Sequence, residues 1–139
     1  MAELCRINGV AAAAACDAIT ALINAGGAAG VLICYSGAQP ATCAEAASGS
    51  EVFTTTAVAD MFAAASTSTG IAALNAALQD PHATGGTAGY FRLVSGTPTP
   101  ILQGTVGTAT SNLILNTVTI GAASVVDITA LTVTVPLTQ

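Results

Sequence analysis

The sequence predicts a mainly β domain, a sandwich or barrel of short strands, with one helix near its N-terminus. Three observations carry this. From Thr87 onward, short runs rich in Val, Ile, Leu and Thr alternate with clusters of Gly, Pro and Ser, the pattern of strands joined by turns. The stretch with the strongest helix-forming composition is the alanine-rich segment 10–25. The length, 139 residues, is that of a single domain of about 100–150 residues. No internal repeat or long linker divides it, so residues 1–139 are read as one domain.

Residues 10–25, VAAAAACDAITALINA, combine the best helix former with Ile19, Leu22 and Ile23 at the i, i+3, i+4 spacing of a buried stripe. Gly26 and Gly27 should end the helix. Residues 1–17 read either as an N-terminal arm or as an early start of this helix. Val31 to Tyr35 is a short apolar strand, followed by turn chemistry in Ser36 to Pro40. Residues 41–50 read as a loop or a short helix. The run EVFTTTAVADMF, 51–62, reads as one or two strands, because β-branched threonines suit a pleated surface.

Ile71, Leu74 and Leu78 sit at helical spacing, and Asp80-Pro81 ends whatever element they form. In the next strand Phe91 and Leu93 point to one face, and Tyr90, Arg92 and Val94 to the other. Ser95 to Pro100 is a turn, and Ile101 to Val106 returns as the hairpin partner. After a Gly/Thr/Ser loop at 107–111, NLILNTVTI and SVVDITALTVTVP are two further strands. In the second, Val126, Ile128 and Ala130 have the opposite parity to Leu131, Val133 and Val135, which predicts a bulge or bend near Ala130.

Charge excludes several functions. Only 6% of residues are charged, there are two arginines and no lysine, and the net charge is −5. A phosphate backbone or an anionic membrane needs clustered Lys and Arg, so no nucleic-acid or membrane partner is expected. No segment approaches the roughly 20 apolar residues of a span. The N-terminal run lacks the basic start of a secretory leader, and synthesis in the cytoplasm without a leader is expected. A soluble surface is commonly about 25–35% charged in designed domains. A chain this poor in charge covers itself with Thr, Ser, Asn and Ala or buries its surface against partners, and the second reading is preferred.

Chemistry-bearing residues are sparse. Cys5, Cys16, Cys34 and Cys43 have no close spacing, and the only histidine, His82, is remote from them, so no metal site or other cofactor is expected. Cys34 reads as a small buried hydrophobe; a Cys34–Cys43 disulfide is open but follows from no spacing rule. The seven acids, Glu3, Asp17, Glu45, Glu51, Asp60, Asp80 and Asp127, form no close pair of the kind glycoside hydrolysis uses. His82 follows Asp80 in a turn and reads as a loop histidine before it reads as a general base. There is no nucleophile elbow and no phosphate loop. No catalytic residue, small-molecule substrate or enzymatic activity is expected.

Arg92 stands out as one of two basic residues, set inside an apolar strand. One reading pairs it with a carboxylate across the sheet, Asp127 or Asp80. The other aims it, beside Tyr90, into a subunit interface, where arginine is enriched. The structural pairing is preferred. Arg92, Tyr90 and Asp127 are the structural or interface candidates of the chain.

The run TAGYFRLVSGTPTPILQGTVGTATSNLILNTVTIGAASVVDITALTVTVP resembles a family of small proteins encoded in the structural gene clusters of tailed phages. That family's pattern is similar to TA-x-aromatic-FR in one strand, then G-(Ser/Thr)-V-G, an N-L-x-L-N strand and a closing Val- and Thr-rich strand. Here these are Thr87 to Arg92, Gly104 to Gly107, Asn112 to Asn116 and Val125 to Val135. The helix with ALINAG, the strand ending in YSGAQPA and the link NAALQDPHATGGTAGYFR are similar too. The resemblance covers residues 18–136, with departures at Tyr90, where the family pattern has Trp, and at the cysteines. In the family the residues before the FR strand are themselves a strand, so Ile71 to Leu78 is expected to be β despite its helical spacing.

The resemblance implies a jelly-roll-like antiparallel β-sandwich with one N-terminal helix, and a virion structural role. The expected role is a capsid decoration, or cement, protein on the outer surface of the head. Its partners would be further copies of itself, as a homotrimer, and the major capsid protein. The alternatives are a tail, neck or baseplate component and, in another class, a carbohydrate-binding or adhesin β-sandwich. The last is disfavoured by the absence of Trp and the scarcity of Tyr and Phe for sugar stacking. A small hydrolase on the same sandwich is disfavoured by the lack of a convergent acid, base and nucleophile.

Overall fold

A computed structural model describes residues 6–24, 29–56, 58–97 and 99–137. The chain is mainly β with one helix. In chain order the elements are α1 (Gly9–Ile23), β1 (Val31–Tyr35), β2 (Glu51–Thr54), β3 (Ile71–Ala73), β4 (Leu78–Asp80), β5 (Gly86–Thr87), β6 (Tyr90–Val94), β7 (Pro100–Gly107), β8 (Leu113–Ile114), β9 (Thr119–Ile120), β10 (Val126–Ile128) and β11 (Thr132–Thr134).

The helix starts at Gly9, so residues 9–17 belong to it; residues 1–5 of the expected arm, and Gly26 and Gly27, lie outside the described residues. Asn8 caps it by accepting the Ala11 N–H at 2.9 Å, which satisfies one of the donors that a helix start leaves unpaired. Its buried stripe is Ala12, Ala13, Cys16, Thr20 and Ile23, rotated from the expected Ile19–Leu22–Ile23 face. The small side chains let the helix lie close against β3, β7 and β11. The Cys16 thiol donates to the Val133 carbonyl at 3.3 Å. Leu22 is left 53% exposed.

β1, β2, β6, β7 and β8 form one sheet in the order β2-β1-β6-β7-β8. All its pairings are antiparallel except β7–β8, which is parallel. Three two-stranded ribbons, β10–β4, β11–β3 and β5–β9, complete the β structure. Further backbone bonds join these pieces. Thr56 N–H donates to Gln79 C=O at 2.7 Å, tying the exit of β2 to β4. Ala63 N–H to Ala73 C=O at 2.8 Å, and Asn75 N–H to Met61 C=O at 3.0 Å, lay segment 61–63 along β3. The result is a curled, antiparallel-rich sheet.

One core fills the curl. Leu32 and Cys34 of β1, Phe53 of β2, and Phe91 and Leu93 of β6 meet Leu78, Val126, Ile128, Leu131 and Val133 from the ribbon side, with Cys16 and Ile23 of α1. Each fully buried Leu, Phe or Ile contributes about 1.5–3 kcal/mol relative to exposure. Helix and ribbons are thus held by burial that neither could achieve alone.

Several expectations meet the structure directly. Val31 to Tyr35 is a strand with those bounds, and β6–β7 is the expected hairpin. The parity change is present: Val126 and Ile128 are buried before it, Leu131 and Val133 after it, and the strand breaks between Ile128 and Thr132. Ile71 to Leu78 is β at both ends, as β3 and the start of β4, with a bend at Asn75–Ala76 between them. Segment 41–50 forms turns and no helix. The run 112–120 divides into β8 and β9 instead of one strand. Within the run 51–62, β2 covers Glu51–Thr54, and its consecutive residues Val52 and Phe53 are both buried where the β1–β2 register slips between Cys34 and Tyr35.

Candidate functional site

The sheet places Arg92 on the face opposite the core, in register with Ile33 of β1 and Gln103 of β7. Segment 36–50 folds over part of that face and buries it. The Tyr90 hydroxyl donates to the Ser48 carbonyl at 2.9 Å and accepts the Ser48 N–H at 2.8 Å. The Gln103 side-chain amide donates to the Pro40 carbonyl at 2.8 Å. Ser36 Oγ accepts the Ser50 N–H at 2.9 Å, closing the base of the segment. All five residues of β6 are therefore buried, not only the core-facing pair.

Arg92 is 3% exposed. Its Nε donates to Gln103 Oε1 at 3.3 Å, and its guanidinium carbon lies 5.8 Å from the centroid of the Tyr90 ring. Nη2 is buried with no hydrogen-bond partner. The expected carboxylate pairing is not made. Asp80 is bound instead to backbone, accepting the Thr54 N–H and the His82 N–H, each at 2.9 Å. Asp127 accepts from the Gln79 side chain at 2.7 Å, its register partner across β10–β4. Both acids are held by their own local partners.

Tyr35 stacks on Tyr90 with ring centroids 5.3 Å apart and an interplanar angle of 19°. Burial raises the Tyr35 phenol above its ordinary pKa, Glu51 and Tyr90 push it the same way, and Arg92 opposes them. The Tyr90 and Arg92 rungs are covered by segment 36–50, and Tyr35 at the end of the ladder is half-buried.

The remaining expected site residues are dispersed. His82 is exposed, and its contact with Asp80 runs through its backbone N–H. Cys16, Cys34 and Cys43 are free thiols, so the Cys34–Cys43 disulfide is not formed; Cys5 lies outside the described residues. Burial pushes the Cys34 thiol up to about 12, which leaves it protonated and unreactive near neutrality. Among the described residues, no group of three or more His, Cys, Asp or Glu is placed to hold a metal ion. No helix among them is long and apolar enough to cross a membrane.

Two features escaped the sequence reading. A groove of about 400 Å³ runs between residues 111–116 and 127–132, and an adjoining one of about 230 Å³ shares Asn112, Leu131 and Thr132 with it. Large aliphatic side chains also stand outside the core: Val10 at 64%, Ile114 at 62% and Val125 at 59% exposed. On α1, Ala11, Ala14, Ala15, Ala18 and Ala21 are exposed alongside Val10 and Leu22, making an outward helix face with no charge on it. Treating 10–25 as an ordinary amphipathic helix hid this, since alanine reads equally as core or surface. No protein-family model, curated protein or solved structure matches this chain.

Proposed function

We propose that this chain is a structural subunit of a tailed-phage virion, a decoration protein that binds the outer surface of the capsid and stabilises contacts between major capsid subunits. The observation that carries the reading is the uncharged outer face of α1. Val10, Leu22 and five alanines face outward on a chain with 6% charged residues. Apolar surface of this kind is costly to leave in water and suits burial against protein. The choice of a phage virion as the assembly rests on the resemblance of the strand motifs at Thr87 to Arg92, Gly104 to Gly107 and Asn112 to Asn116 to those of phage structural proteins.

The curled sheet around one core is read, at finer grain, as a jelly-roll-like sandwich, with the ribbons β10–β4 and β11–β3 standing for the second layer. A cement protein acts by burying surface at subunit junctions, and many weak copies gain strength from avidity. It needs no cofactor and no catalytic group. Self-association as a trimer and binding to the major capsid protein are the expected partnerships.

The test is the composition and cryo-EM map of purified particles. A decoration protein is present in numbers comparable to the major capsid protein, with density on the outer shell. A few copies at the neck, baseplate or tail would move the assignment to those structures. Absence from particles, together with a stable monomer in solution, would overturn it.

A further inference from the structure

The larger groove described above is lined on one side by β8 and on the other by the start of β11, and the smaller one continues along β11. β8 is the last strand of the five-stranded sheet, and β11 is the outer strand of its ribbon. Leu115 sends its N–H back to Gly107 of β7 at 2.8 Å. Strand alternation then turns the N–H and C=O of Ile114 away from β7, toward the groove. On the opposite wall, Leu74 N–H donates to Leu131 C=O at 3.1 Å and Val135 N–H donates to Gly70 C=O at 3.0 Å. The β11–β3 register runs Thr132↔Ala73, Val133↔Ala72, Thr134↔Ile71. Residues 131, 133 and 135 therefore bond to the β3 side, and the N–H and C=O of Thr132 and Thr134 point away from it. Thr132 lines both cavities, and Ile114, 62% exposed, lines the larger. Among the described residues no strand pairs with either edge here.

Unpaired edges on both sides of one groove recognise an extended backbone before they recognise any side chain. We propose that this groove binds a β-strand of a partner protein, inserted between β8 and β11, with main-chain bonds to Ile114 on one side and Thr132 on the other. Surface charge selects the partner. Of the exposed acids Glu45, Glu51, Asp60 and Asp127, it is Asp127 that lines the larger groove, and no lysine or arginine lines either groove. A second copy brings the same acidic surface. A strand with a core of small or β-branched residues and basic flanks is complementary in charge and shape. The inference requires nothing of the virion assignment, since it rests on strand edges and charge alone.

The test uses the full chain and a capped peptide of about six alternating threonines and valines with a lysine at each end, close to the usual strand length. Binding is followed by fluorescence anisotropy and by amide hydrogen exchange. The expected result is saturable binding with new protection at both Ile114 and Thr132. Two variants each weaken binding roughly five- to tenfold, the loss expected for about one backbone bond or one unfavourable contact. Thr132→Pro removes an outward donor, which an edge position tolerates. Ile114→Lys changes an exposed side chain and adds a positive charge that repels the lysine-flanked peptide, so it tests the groove even if the proline variant misfolds. Failure of the peptide to bind, protection on one wall only, or affinity unchanged from the parent in both variants overturns the proposal. Protection of these amides that rises with protein concentration alone overturns it in favour of a second copy.

Discussion

Replacing Arg92 by Met should leave the isolated chain as stable as the parent or more stable, by about 0–2 kcal/mol. The guanidinium is buried with one hydrogen bond at the long end of the normal range, to Gln103, and one aromatic face at 5.8 Å. A hydrogen bond to a charged group is worth about 1.5–3 kcal/mol, here at the low end because of its length. A cation over a ring adds about 0.5–2 kcal/mol. Against these stand the desolvation of a buried ion, several kcal/mol, and the orphan Nη2 donor, about 1–3 kcal/mol. Methionine keeps most of the stem volume over Tyr90 and removes both penalties. It leaves Gln103 Oε1 without its donor, at about 1 kcal/mol. Urea unfolding at constant slope measures the difference. Arg92→Ala, which also opens a void beside Tyr90, should cost about 2–3 kcal/mol. A loss above about 2 kcal/mol in the methionine variant would refute the reasoning, because it would mean that the charge has a compensating partner.

Tyr90→Phe removes both bonds between its hydroxyl and the Ser48 backbone; it should cost about 1–2 kcal/mol and accelerate amide exchange in segment 36–50 ahead of β6. Gly89→Ala should cost about 1–3 kcal/mol or more by denaturant titration, since its new Cβ would lie 2.0 Å from the Gly37 carbonyl oxygen, a backbone atom that cannot step aside. Gly37→Ala meets open space at φ +83° and should cost only the strain of that conformation, about 1–2 kcal/mol. Alkylation mapped by mass spectrometry at pH 8 should label the half-buried Cys43 quickly and Cys34 only at the rate of unfolding. The Cys34 shift also fixes a pH window. Its folded value, about 12, lies above the ordinary 9.0, so its contribution is intact below pH 9 and is lost progressively as pH rises from 9 toward 12. A Cys34→Ala variant should lose less stability over that window than the parent.

The hairpin β6–β7 was legible because its alternation is local: Phe91 and Leu93 must share a face, and a Pro/Gly turn brings Gln103 opposite Arg92. The parity change at Ala130 was legible for the same reason, since two apolar pairs of opposite phase cannot both face the core without a break. The partner of Arg92 was not legible. Both proposed carboxylates belong to β4 and β10, which lie in a ribbon apart from the sheet that holds β6, and such pairing follows from long-range topology, not from spacing. The burial of Tyr90 and Arg92 escaped for a related reason. Segment 36–50 has turn composition, and nothing in its residues announces that it folds back over a sheet through single contacts at Pro40 and Ser48. The groove between β8 and β11 depends on where short strands stop, and strand ends are the least determined feature of a Thr-rich sequence.

The scarcity of lysine and arginine has a structural counterpart in how the acids are used. Asp17 accepts the Ala65 N–H at 2.7 Å, joining the helix to the segment before β3. Asp80 gathers the amides of Thr54 and His82, joining β2 to the turn after β4. Each carboxylate satisfies backbone donors where an element ends and no strand neighbour is available, which a chain with few charged residues must do with whatever polar groups it has. Uncharged side chains do the same elsewhere: Thr55 Oγ1 accepts the Leu32 N–H at 3.0 Å, and Asn112 Oδ1 accepts the Thr105 N–H at 3.1 Å. Asp17 accepts one such amide and Asp80 two, so both carboxylates act as fastenings between elements distant in sequence. Among the described residues, strand-edge backbone at Ile114 and Thr132 and aliphatic surface on the helix are left without a protein neighbour, and both are surfaces of the kind that suits burial against another polypeptide.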